Sequence, residues 1–200
     1  MNRISFDAED PAPNFIGGWF LQRPEVCDEL IAFFNSERAD RKAGEIADGL
    51  RPDLKKCIDC SIDPKHLNLP EYACFKDYMA QLIGCYEDYK AKWPFLSQFL
   101  KEVHVGRFNI QRYLAGDHYK AIHTERMSLT YSHRIFAWMT YLNDVEDGGE
   151  TVFVHYGLKV KPKKGLTLIW PVEWTHAHYG SVLGSGEKYI INGHIDFPPT

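Results

Sequence analysis

The sequence is short of several things, and each shortage narrows what the chain can be. No apolar run approaches the roughly 18–20 residues that a membrane-spanning helix needs, so no membrane association is expected. Positive charge is not in surplus. Lys and Arg number 23 against 27 Asp and Glu, a net charge of −4, which argues against a broad phosphate-binding face and against a nucleic-acid partner. The one basic cluster, Lys159-Val160-Lys161-Pro162-Lys163-Lys164-Gly165, is punctuated by proline and glycine and reads as a solvated hairpin turn. The five cysteines are odd in number and all lie in the first half. Residues 1–10 lack the apolar centre of an export signal, so reduced thiols are the default and a soluble, cytoplasmic protein is expected. Cys57-Ile58-Asp59-Cys60 is a lone C-x-x-C with no second pair, and no zinc or redox role is assigned to it. There is no internal repeat and no low-complexity segment.

What is present divides near residue 100. Before it the signals are helical. Pro24 suits a first helical turn, and Val26, Leu30, Phe33 and Phe34 follow at helical spacing. Pro70 opens a longer helix with Phe75, Met79, Leu82 and Tyr86 as one stripe, which must end before Trp93-Pro94 because a residue preceding proline is pushed out of the helical region. Residues 38–63 are charged and without period, and read as a long connection with one strand at most. After residue 100, about eight short strands alternate with turns such as Asp147-Gly148-Gly149 and Gly184-Ser185-Gly186. Strands without intervening helices imply an antiparallel sandwich or open barrel. The expected unit is one domain, residues 1–200, with 1–100 mostly helical and 101–200 forming the β core.

The chemistry concentrates in three places. His123-Thr124-Glu125 is an H-x-E pair which, on a strand, puts both side chains on one face. Trp174-Thr175-His176-Ala177-His178-Tyr179-Gly180 supplies a second histidine, and Lys188 follows across a glycine turn that looks like a hairpin. Two imidazoles and one carboxylate are a donor set for non-haem iron, with positions left open for further ligands. A lysine placed beside them could neutralise a buried carboxylate, and without such a partner its burial would be costly. His176 and His178 share a face, so periodicity does not choose between them.

From 107 to 197 the chain resembles the prolyl 4-hydroxylase-like branch of the Fe(II)/2-oxoglutarate-dependent dioxygenases. The resemblance is carried by Tyr113 and Gly116 ahead of His123-Thr124-Glu125, by Arg134-Ile135-Phe136-Ala137-Trp138-Met139-Thr140-Tyr141-Leu142-Asn143-Asp144, by Gly148-Gly149-Glu150-Thr151-Val152-Phe153, by Pro162-Lys163-Lys164-Gly165, and by His178-Tyr179-Gly180 with Lys188 ten positions after the histidine. It implies an α+β, mainly β fold: a double-stranded β-helix, or jelly-roll barrel, with N-terminal supporting helices. It implies Fe(II) held by His123, Glu125 and His178, with the ten-residue interval to Lys188 and the glycine two after the histidine favouring His178 over His176. It further implies that Lys188 binds the C5 carboxylate of 2-oxoglutarate, that Tyr141 stands near that carboxylate, and that Tyr113 contacts the co-substrate from the other side. Oxidative decarboxylation to succinate and CO₂, coupled to hydroxylation of an unactivated C–H bond, is the implied reaction. O₂ is consumed, and ascorbate is a candidate reductant.

Two departures stand out. Glutamate occupies the carboxylate position where the family more often has aspartate, although an oxygen ligand remains; glycine or alanine there would have suggested halogenation. His194 stands where relatives often carry tryptophan. The other histidines, His66, His104, His118, His133 and His155, have no metal-like spacing, and His118 and Arg126 are placed at the mouth of the site. The oxidised substrate stays open between a prolyl residue in a peptide, free proline, another amino acid and a small metabolite, with residues 128–133 and parts of 38–63 expected to recognise it. Rival readings are a non-catalytic cupin-type metal-binding module and a nucleic-acid demethylase on the same barrel.

Overall fold

The computed structural model describes residues 2–4, 6, 13–46 and 48–199. Most of the stretch 1–10, from which the absence of an export signal is read, lies outside them. The strands are β1 (Asn2–Ile4), β2 (Gly17–Phe20), β3 (Arg41–Ala43), β4 (Lys55–Lys56), β5 (Ile58–Ile62), β6 (Phe108–Leu114), β7 (His118–His123), β8 (Arg134–Tyr141), β9 (Thr151–Phe153), β10 (Leu158–Val160), β11 (Leu166–Pro171), β12 (His178–Gly180) and β13 (Glu187–Asp196). The α-helices are α1 (Glu25–Asn35), α2 (Ala73–Lys92) and the short α3 (Phe95–Phe99).

Two antiparallel sheets face each other. The larger has the order β1-β2-β11-β8-β13-β6-β5-β3 and the smaller β10-β9-β12-β7-β4. From β6 onward the chain steps between sheets at every connection except the β9–β10 hairpin, as a double-stranded β-helix requires. This corrects two local readings. The glycine turn at 184–186 and the basic turn at 159–165 each carry the chain from the smaller sheet to the larger rather than closing a hairpin. Consequently His178 and Lys188 lie on facing sheets, not on neighbouring strands.

The alternation of side chains on the larger sheet builds two cores. Phe136 and Trp138 on β8, with Tyr189 and Ile191 on β13, pack outward with Leu30 and Phe34 of α1 and Phe75, Tyr78 and Tyr89 of α2. Burying each such side chain contributes about 1.5–3 kcal/mol, which is why α1 and α2 dock on this sheet. Ala137, Met139 and Tyr141 on β8, with Ile190 on β13 and Leu168 and Trp170 on β11, point inward to the space between the sheets.

The first hundred residues are less helical than their pattern suggests. Among the described residues five strands lie there, and β3, β4 and β5 fall inside the stretch read as a connection with one strand at most. The reason is physical. β4 and β3 are two and three residues long, and β5 exposes Ser61 between the buried Cys60 and Ile62, so none has an apolar run to announce it. They extend sheets whose register is set by β6 and β7. Cys57 and Cys60 sit in opposite cores, so the C-x-x-C is not a pair. Among the described residues no helix is long and apolar enough to cross a membrane.

Candidate metal centre

β7 and β12 are antiparallel neighbours, and His123 and His178 are direct cross-strand partners, with ring centroids 4.4 Å apart. Glu125 does not lie on the strand, which stops at His123. Its position comes from the loop instead. The Thr124 hydroxyl donates to the Val172 carbonyl, and Arg134 Nη1 donates to the Glu125 carbonyl at 2.9 Å, so the carboxylate turns back toward the two imidazoles. His123, Glu125 and His178 thus offer three donor atoms within 4.8 Å of one another.

The ring nitrogens are already allocated. Nδ1–H of His123 donates to the Ala121 carbonyl at 2.9 Å, and Nδ1–H of His178 to the His176 carbonyl at 3.0 Å. A carbonyl can only accept, so each Nε2 keeps its lone pair for a metal. Those two Nε2 atoms stand 3.6 and 3.5 Å from Oε1 of Glu125. Tyr119 stacks flat on His123 at 4.0 Å, and Trp170 meets His178 edge-on at 5.1 Å, fixing both rings.

Burial would raise the Glu125 carboxyl, but the three imidazoles around it, His123, His178 and the hydrogen-bonded His194, hold it well below the usual carboxylate range. Burial and the neighbouring His123 push His178 down, toward the neutral form that a metal needs. His176 is occupied elsewhere. Its Nε2–H donates to the Asn14 carbonyl at 2.9 Å and its Nδ1 accepts from Thr175 at 3.0 Å, leaving no ring nitrogen for a metal.

The cluster opens into a cavity of about 750 Å³ that also contains Lys188, Tyr113, Thr151 and Met139. Lys188 is 4% exposed. Its ammonium donates to the Gly149 carbonyl at 2.9 Å and lies 4.3 Å over the Tyr113 ring, and among the described residues no carboxylate is in contact with it. Burial pushes it down to about 8. A buried cation served only by a carbonyl and a ring face is a receptor for an anion. Gly149 has φ of +71°, and a Cβ there would stand 3.2 Å from Lys188 Cδ, so glycine is required to bring this carbonyl to the ammonium.

Not every expected residue arrives. Tyr113 lines the cavity, but its hydroxyl donates to Gln111 at 2.9 Å, so it presents a ring. Tyr141 is outside the lining. Its hydroxyl donates to Thr151 Oγ1 at 2.6 Å, so the residue that reaches the cavity is Thr151. His118 is buried and Arg126 is paired with Glu173, and neither lines the cavity. Both segments expected to recognise a substrate reach the cavity lining, through Glu45, Ile46 and Asp48 and through Ser128 and Tyr131, and Met127 lines it just before the second. Gln111 and Tyr119 lie in no motif, and neither the place of Thr151 in the cavity nor the contact made by His194 is announced by the residues around them. Only the period-2 pattern of their strands could have pointed inward.

Comparison with known proteins agrees with this geometry. Residues 108–196 match the family model of the 2OG-Fe(II) oxygenase superfamily. A probable prolyl 4-hydroxylase 9 of Arabidopsis thaliana is 33% identical over 113 residues, covering 44% of this chain and 39% of that protein. The human prolyl 4-hydroxylase subunit alpha-1 is 47% identical over 67 residues, covering 30% of this chain and 12% of that one. The chain therefore spans about two fifths or less of these relatives' length. Among solved structures, a viral collagen prolyl hydroxylase from Paramecium Bursaria Chlorella virus-1, in complex with 2OG, superposes with a TM-score of 0.67 at 21% identity, covering 92% of this chain and 97% of that one. A Pseudomonas putida prolyl-4-hydroxylase gives 0.68 at 15% identity, covering 93% and 94%. The β core of the chain, residues 108–196, is thus similar to the 2OG-Fe(II) oxygenase superfamily, and the curated relatives that it matches are prolyl 4-hydroxylases. Both groups in that family's name are chemically matched here: two imidazole lone pairs and a carboxylate suit Fe(II), and an unpaired buried ammonium suits the far carboxylate of 2-oxoglutarate.

Proposed function

We propose that this chain is a 2-oxoglutarate-dependent dioxygenase that hydroxylates a prolyl residue in a peptide. The observation that carries the reading is the shared cavity, with a His-Glu-His donor set and, in the same space, a buried lysine lacking a counter-ion. His123, Glu125 and His178 would hold the iron. Bound Fe(II) with 2-oxoglutarate supplies the oxidising power, by decarboxylating the 2-oxo acid to succinate and CO₂ as O₂ is consumed.

The chain's own residues provide the rest. Lys188 pairs with the distant carboxylate, and the Tyr113 face beneath it helps keep the ammonium charged. Thr151 offers its hydroxyl to the same carboxylate, held in place by Tyr141, which we assign to positioning rather than to contact. Met139, Trp170 and Ile190 line the interior and exclude water. Glu45, Ile46 and Asp48, with Met127, Ser128 and Tyr131, line the cavity, and Ile122 and Met127 are exposed and available to an extended substrate.

A purely metal-binding module has no use for an unpaired Lys188, and the acidic Glu45 and Asp48 at the lip disfavour a nucleic acid. We take the chain as one domain, because α1 and α2 share their core with the larger sheet. We place it in the cytoplasm, on the thiols of Cys27, Cys57, Cys60 and Cys74. The test is succinate release from Fe(II), 2-oxoglutarate and O₂ across a panel of proline-containing peptides and free amino acids, with His123→Ala as blank. Stimulation by peptides is expected; stimulation by free amino acids alone would redirect the substrate, and no succinate with any of them would refute the enzyme.

A further inference from the structure

The two departures from the family pattern, glutamate at 125 and histidine at 194, touch each other. The Glu125 carboxylate is divided between two tasks. Its Oε1 faces the Nε2 atoms of His123 and His178 at 3.6 and 3.5 Å, while its Oε2 accepts from His194 Nε2 at 2.8 Å. Arg134 Nη1 stands 3.8 Å from Oε2, beyond hydrogen-bond range, and spends itself on the Glu125 carbonyl. His194 is therefore the hydrogen-bond partner of the second oxygen. It lies on the inward face of β13, and its register partner on β8 is Ala137, whose small side chain leaves the imidazole room.

We infer that His194 is a positioning residue that locks Glu125 so that a single oxygen faces the metal. The need for a lock follows from the side chain. Glutamate has one more rotatable bond than aspartate, and a carboxylate on that longer stem can bind a metal through one oxygen or both. Two oxygens would fill a position that the co-substrate and O₂ require. A hydrogen bond of 2.8 Å to Oε2 removes that option and orients the ligand as outer-shell partners do. His194 and Glu125 thus act as a matched pair, each making sense of the other's departure. This rests on the metal-site assignment proposed above.

Cobalt(II) is the probe, because its visible spectrum reports coordination without turnover. His194→Ala should weaken Co(II) binding by about 10–100-fold, the usual cost of losing an outer-shell partner, and should alter the d–d bands. His194→Gln, which keeps an amide donor at similar reach, should recover affinity to within a few-fold. On a Glu125→Asp background, His194→Ala should cost less than about two-fold, since the shorter carboxylate falls short of the imidazole. Thermal unfolding without metal checks that each variant folds; if His194→Ala does not, His194→Gln against His194→Leu carries the test. Wild-type affinity and spectrum in His194→Ala overturn the inference, as does an undiminished loss on the Glu125→Asp background. Failure of the wild-type chain to take up Co(II) at a site abolished by His123→Ala would instead bring down the metal-site reading, and the pairing with it.

Discussion

The two ends of the cavity are provided for in opposite ways. At the His-Glu-His end Glu125 is surrounded by three imidazoles, accepting a hydrogen bond from His194, and the rings of His123 and His178 are each fixed by a backbone carbonyl and an aromatic neighbour. At the other end Lys188 has one carbonyl and one ring face. Lys55 is the internal control. It lines the same cavity at 5% exposure, yet donates to Asp59 at 2.7 Å and to the Glu45 carbonyl at 3.2 Å. Where the chain buries a lysine for structure, it supplies a carboxylate. At Lys188 no carboxylate of the described residues is in contact, and Glu150 acts only from a distance, which leaves the contacting counter-ion to the ligand.

The largest expected effect is at the metal end. His123→Ala or His178→Ala should reduce metal affinity by more than about 100-fold, exceeding the loss typical of outer-shell partners, as read by calorimetry with Mn(II). His176→Ala should keep the metal and instead lose stability on the order of 1 kcal/mol, because the half-buried Asn14 carbonyl and Thr175 hydroxyl lose their partner. The reverse result would exchange the ligand. Next comes the pair of lysines. Lys188→Met should weaken 2-oxoglutarate by at least about 30-fold, the lower end of what truncating one side of a buried charge pair costs, with metal affinity intact. Lys55→Met should barely change 2-oxoglutarate binding but destabilise the fold by on the order of 1–3 kcal/mol, since the half-buried Asp59 loses its cation and keeps only the Cys57 thiol. Equal effects of the two changes on 2-oxoglutarate would erase the contrast.

A subtler effect appears in stability against pH. Lys188 is pushed down from 10.5 to about 8 in the folded chain. Below that the folded and unfolded states both hold the proton, and the fold bears the full cost of a buried charge. Between about 8 and 10.5 the unfolded chain binds more protons, so this group's contribution rises with pH. Without ligand, Lys188→Met should therefore exceed the wild type in urea stability at pH 7, by on the order of 3 kcal/mol, and the gap should narrow as pH climbs through that window. A gap that does not change with pH would mean Lys188 is not desolvated. The smallest expected change is at Thr151: Thr151→Val should weaken 2-oxoglutarate about five-fold, the worth of roughly one hydrogen bond, and Tyr141→Phe by less, since it acts through Thr151.

The difference between the ends also explains what the sequence made legible. His123 and Glu125 are legible as an H-x-E pair, His178 and Lys188 through the interval that the family resemblance singles out, and α1 and α2 through their apolar stripes. The pairing of β12 with β7, which brings His178 opposite His123, is a contact across 55 positions that no local pattern encodes. The same holds for His194 reaching Glu125 and for Thr151 standing in front of Tyr141, because both depend on side chains meeting across the cavity. Glu125 itself is placed by Thr124 and Arg134 in a loop rather than by strand periodicity, so the expectation of a shared strand face reached the right neighbours by the wrong geometry.

The central claim is that a metal and a dicarboxylate occupy one cavity and depend on each other. The most direct measurement is calorimetric titration of 2-oxoglutarate into the chain with and without Mn(II), repeated on Lys188→Met. The account predicts tight binding only when metal and lysine are both present, with 2-oxoglutarate strengthening Mn(II) by the same factor as Mn(II) strengthens it. Equal affinity with and without the metal would contradict it.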